Sequence, residues 1–152
     1  MLAALAALHV PALAALAGAL AASADPFYAH ALATLVAGEA LNRALKAAVR
    51  APRPPGATEA GWGFPSAHAQ FWATLALLAG ARAVRSARLT ARGAGAVCAV
   101  CVLAVATVDW ARLHAGVHAG VHDGVQVVGG NAVGAAVFFA SLAVESASVR
   151  LC

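Results

Sequence analysis

The chain is 152 residues long, 62% hydrophobic and 11% charged, with a mean hydropathy of +0.82 and a formal net charge of +4 at pH 7. An ordinary soluble domain is about half apolar and about a quarter charged, so this composition excludes a typical water-soluble globule and implies a lipid solvent. The length allows one domain, 1–152, and the Lys and Arg residues have no interleaved aromatics, which leaves no nucleic-acid site.

A helix needs about 20 apolar residues to cross a bilayer, and five segments meet that need. The first is 2–22. The Ala-Ser-Ala at 22–24 is similar to a signal-cleavage site, but no basic residue precedes the apolar run, so a retained helix is the expectation for 1–25. The second span is 27–47. It leads into 50–65, where four prolines and three glycines dictate a loop. A short third span, 67–82, is followed by a loop carrying Arg82, Arg85, Arg88 and Arg92. In the fourth span, 93–110, Cys98 and Cys101 read as small packing residues. The glycine-rich fifth, 119–144, follows the segment 112–118. The expected fold is therefore an all-α, multi-pass transmembrane helical bundle of about five spans, with soft boundaries because alanine forms helices in any solvent.

If the first four segments all cross, the 50–65 loop and the 112–118 segment lie on one side of the membrane. The opposite side carries the four arginines of the 82–92 loop and Arg150, which the positive-inside bias makes cytoplasmic.

Three clusters on the first side carry chemistry. Lys46 ends a helix and Arg53 follows seven positions later, held by Pro54. Pro65-Ser66-Ala67-His68 opens the third helix. Arg112 is followed six positions later by His118. Three fixed cations can neutralise a transferring phosphoryl group. Ser66 is a natural N-cap and the first amides of its helix form an anion site. His68 can protonate a departing oxygen near neutral pH, and a second histidine can attack phosphorus from the other side to form a phosphohistidine. Lysine and arginine carry the charge balance, so no metal and no cofactor is expected.

In this order the clusters resemble the three-part signature of the type-2 phosphatidic acid phosphatase (PAP2) and haloperoxidase superfamily: Lys-x6-Arg-Pro, Pro-Ser-small-His and Arg-x5-His. The segments 38–42, 46–54 and 63–71 are similar to the dolichyl diphosphatase branch, and the resemblance spans roughly 36–140. It implies that Lys46, Arg53 and Arg112 bind phosphate, that Ser66 and the Ala67 amide complete the cradle, and that His68 is the general acid. It further implies hydrolysis of dolichyl or another polyprenyl pyrophosphate to the monophosphate. The protein would sit in the endoplasmic reticulum membrane with its active site facing the lumen, recycling the lipid carrier of protein N-glycosylation with no obligate protein partner.

Two features depart from the signature. Ala111 stands where a serine usually precedes the arginine. The third cluster is also repeated, with His-Ala-Gly-Val at 114–117 and 118–121 and then His122, Asp123 and Gln126. Counting forward from Arg112 selects His118 as nucleophile, the reading taken first, with His122 or Asp123 orienting it. Counting back from Gln126 selects His122. A four-residue duplication reconciles the two and would set His114, His118, His122 and Gln126 on one helical face. Alternative functions are a lipid phosphate or undecaprenyl pyrophosphate phosphatase of the same superfamily, an inactive membrane homologue, or a metal site on His114, His118 and His122.

Overall fold

The computed structural model describes residues 9–23, 25–55, 57, 60–114 and 122–151. Among the described residues there are five α-helices and no strand: α1 (His9–Ala22), α2 (Pro26–Val49), α3 (Ala67–Arg85), α4 (Ala91–His114) and α5 (Gly124–Leu151).

Local chemistry sets the helix ends. The Asp25 carboxylate accepts from the Phe27 amide at 2.9 Å, and Pro26, whose missing N–H costs nothing at a first turn, starts α2. Arg50 closes α2 in the left-handed region with φ 53°, its N–H donating to the Lys46 carbonyl at 3.0 Å. The Thr90 hydroxyl accepts from the Gly93 amide at 3.2 Å and starts α4. The Asp123 carboxylate accepts from the Gln126 amide at 2.8 Å and starts α5.

These caps account for the differences from the spans read in the sequence. The third helix continues past 82 to Arg85 because Arg82 and Arg85 occupy its last turn, where the helix dipole favours cations. The fifth begins at Gly124 rather than 119. His114 therefore ends α4 and His122 precedes α5, so His114, His122 and Gln126 do not share one helical face, and His118 lies outside the described residues.

At 1.5 Å per residue, the 24 residues of α2 and of α4 extend about 36 Å and the 19 of α3 about 28 Å, close to the roughly 30 Å hydrocarbon core of a bilayer. The helices 91–114 and 124–146 are apolar enough to cross a membrane, and 10–22 is a shorter apolar helix. Val100, Val102, Leu103, Val128, Phe139 and Val144 stand exposed along α4 and α5, as side chains in contact with lipid would.

Helix α3 is the centre of the bundle, packed along α4 and α5, with α2 against it and α1 packed mainly on α2 and touching α3. Ala31, Leu35, Leu78 and Phe138 form the apolar core. The α3–α5 contact is backbone on backbone: a Cβ at Gly130 would come within 2.5 Å of the Ser66 carbonyl oxygen, and one at Gly134 within 2.5 Å of that of Gln70. Small residues four apart are how membrane helices approach closely when no hydrophobic force drives them together. The Thr74 hydroxyl, within 2.9 Å of the Gln70 carbonyl and 3.1 Å of that of Gly134, bridges the two helices.

Candidate active site

The site lies at the end of the bundle where α2 and α4 finish and α3 and α5 begin. The proline-rich segment 50–65 folds back over that end, with the Gly63 amide donating to the Ala51 carbonyl at 2.9 Å. It is tied to the start of α5 twice. The Gln126 side-chain amide donates to the Pro52 carbonyl at 2.9 Å, and the Ser66 amide donates to the Gln126 carbonyl at 2.9 Å. Gly63 makes room for this arrangement, since a Cβ there would meet the Gln126 side chain at 2.5 Å.

His122 is 4% exposed and its Nδ1 lies 2.9 Å from Gln126 Oε1. The Pro52 carbonyl can only accept, so the Gln126 nitrogen faces it and Oε1 faces the imidazole. His122 Nδ1 must then carry the proton and donate, which leaves the lone pair on Nε2. Burial pushes the His122 pKa down to about 4, and the positive charges of Arg112, Arg53 and Lys46 push the same way, while the Gln126 hydrogen bond pulls it up. The imidazole is thus neutral at physiological pH and surrounded by three cations.

Each cation comes from a different element. Arg112, on the last turn of α4, is 1% exposed. Lys46, on the last turn of α2, donates to the Trp62 carbonyl at 3.1 Å, and Arg53 Nε donates to the Gly61 carbonyl at 3.3 Å. Ser66 takes the N-cap position of α3 with extended backbone, but its side chain makes no capping bond; Oγ is fully buried with no hydrogen-bond partner among the described residues. A hydroxyl kept from its own helix in this way is available to a bound anion.

His68 and Ala67, in the first turn of α3, line a cavity of about 680 Å³ between α1, α2 and α3, whose walls also include Leu13, Leu35, Val36 and Phe71. Asp123 is exposed and serves as the α5 cap, so Gln126, not Asp123, holds the described histidine. His114 is exposed and stacked on Trp110, with ring centroids 5.8 Å apart. Ala111 is buried beside Arg112 in sequence, without a hydroxyl to offer.

A buried amide pair beneath the site has no role in the sequence reading. Asn42 Nδ2 donates to Gln70 Oε1 at 2.8 Å and to the Pro65 carbonyl at 3.4 Å, and Gln70 Nε2 donates to the Gly38 carbonyl at 2.5 Å. The pair pins α2 to the start of α3 and so fixes Lys46 relative to Ser66. The available signal was two amides inside apolar helices, where unpaired polar groups are costly.

No protein-family model matches the sequence, and no curated protein matches it. Among solved structures the fold is similar to the first transmembrane PAP2-type phosphatidylglycerolphosphate phosphatase from Bacillus subtilis, with a TM-score of 0.77, 21% identity, and 95% of this chain and 75% of that chain covered. At that identity the likeness is one of fold. The chain is thus an all-α, multi-pass membrane bundle with the fold of a PAP2-type phosphatase.

Proposed function

We propose that this protein is an integral-membrane lipid phosphatase that cleaves the terminal phosphate of a polyprenyl diphosphate such as dolichyl diphosphate. The observation that carries the reading is the Pro52–Gln126–His122 chain of hydrogen bonds, which presents a neutral imidazole Nε2 among three cations.

In this mechanism Lys46, Arg53, Arg112, the Ser66 hydroxyl and the Ala67 amide hold the terminal phosphate. His122 Nε2 attacks phosphorus, the bridging P–O bond breaks, and His68 gives its proton to the departing oxygen. Water then attacks the phosphohistidine, giving up a proton to His68 and releasing inorganic phosphate. His122 takes the role that the forward count from Arg112 gave to His118, because Gln126 fixes its tautomer.

The similarity of 38–42, 46–54 and 63–71 to dolichyl diphosphatases supports the diphosphate substrate, as does Gln126 four residues after His122. The arginines at the opposite end support a site facing away from the cytoplasm; the likeness to dolichyl diphosphatases extends this to the lumen of the endoplasmic reticulum and to recycling the carrier for N-glycosylation. A second reading, a lipid monophosphate substrate, is favoured by the name of the similar Bacillus enzyme.

The test is phosphate release from dolichyl diphosphate in detergent. His122→Ala should lower kcat about 10⁴-fold or more, His68→Ala should cost about 10²- to 10⁴-fold, and His118→Ala should stay near wild type. The acid limb of kcat/KM that belongs to the nucleophile should lie near pH 4 rather than near 6.5, because only the unprotonated imidazole attacks. Full activity of His122→Ala would sink the assignment.

A further inference from the structure

The cavity beside His68 is apolar along most of its walls, yet two charged residues of α2, Glu39 and Arg43, also line it. Arg43 Nε donates to Glu39 Oε1 at 2.9 Å, one turn back on the same helix. The pair is exposed, with side-chain exposures of 78% for Arg43 and 50% for Glu39, and exposed pairs of this spacing contribute little to stability. Its place is thus better explained by what it faces than by what it holds together.

Resting on the phosphatase reading above, we propose that Arg43 binds the leaving group's own phosphate and makes the enzyme selective for lipid diphosphates over lipid monophosphates. His68 gives its proton to the departing oxygen, so the leaving group lies on the His68 side of the scissile bond, and the cavity with Arg43 is the space on that side. A diphosphate releases a lipid monophosphate, an anion that forms as the bridging bond breaks. A monophosphate ester releases a neutral alcohol. Only the first calls for a cation in the leaving-group space.

Lys46, Arg53 and Arg112 are assigned to the phosphate that is transferred, because the charges of all three act on His122. Arg43 is one turn before Lys46 on α2, next along the helix from the transferred phosphate. Its bond to Glu39 engages Nε, which leaves the two terminal Nη groups to donate to a phosphate as a fork. The apolar side of the same cavity, with Leu13, Leu35, Val36 and Phe71, suits the first units of a hydrocarbon chain.

The test compares kcat/KM for farnesyl diphosphate and for dioleoyl phosphatidic acid in one detergent, for wild type and Arg43→Gln. We expect Arg43→Gln to lower the farnesyl diphosphate value about 10- to 100-fold, the loss of one charged hydrogen-bonding partner, and to leave phosphatidic acid within about twofold. Retained phosphatidic acid turnover also reports that the variant is folded. An equal fall on both substrates, or a fall on neither, overturns the proposal, as does a wild type that hydrolyses phosphatidic acid alone. A wild type inactive on both overturns the phosphatase reading with it, so the two failures are distinct.

Discussion

The two ends of the bundle place their charges differently. Around His122 the cations are held by the chain itself: Lys46 and Arg53 donate to carbonyls of the proline-rich segment, and Arg112 is buried. At the far end, Arg82 meets the Asp25 carboxylate and lies 5.3 Å over the Phe27 ring, while Arg85 reaches Glu145 at 3.5 Å, all through partly exposed side chains. At the first end three cations from three elements act on one buried imidazole; at the second each arginine meets a carboxylate near the surface.

Substitutions at the two ends should therefore differ in size and in kind. Among the residues that support the site, the largest effect is expected for Gln126→Ala, which removes the acceptor of His122 Nδ1 and the donor to Pro52; kcat should fall about 100-fold with KM changed far less, since the loss is in preparing the proposed nucleophile. An equal rise in KM would show instead that Gln126 serves binding. Gly130→Ala comes next. Its methyl group would crowd the Ser66 carbonyl, so a loss of about 1–3 kcal/mol is expected, read as a lower Tm in detergent together with weaker phosphate binding. An unchanged Tm would mean that α3 and α5 part without strain. The smallest effect is expected for Arg82→Ala, at or below about 1 kcal/mol with kcat/KM unaltered. Any loss of activity there would join the two ends and break the contrast.

The five helices were legible because lipid demands long apolar runs, and the Ala- and Gly-rich composition blurred only their ends. The 82 boundary missed Arg85 because hydropathy stops at the first charge, whereas the backbone continues until its last carbonyls have met cations. The Lys46–Arg53, Ser66–His68 and Arg112 clusters stood out as a spacing pattern, and the charges of Lys46, Arg53 and Arg112 all act on His122. The sequence left His118 and His122 open as the proposed nucleophile, because a four-residue repeat preserves helical phase and the two counts start from different anchors. Periodicity assumed that the helix ran through the repeat. Asp123 ends that assumption by capping α5, a contact that depends on where the chain turns. Asn42 and Gln70 escaped for a related reason: their partners lie 28 residues apart and on different helices.

The carbonyl of Pro52 has a consequence beyond support. It tells the Gln126 amide which way round to sit, and that choice decides which imidazole nitrogen is left bare. Were the proline-rich segment to lift away, the amide could turn over, the proton would move to Nε2, and the reactive pair of electrons would be spent on an internal bond. His122 and Arg112 could stay where they are, and the proposed nucleophile would still be silenced through the rotation of one planar group.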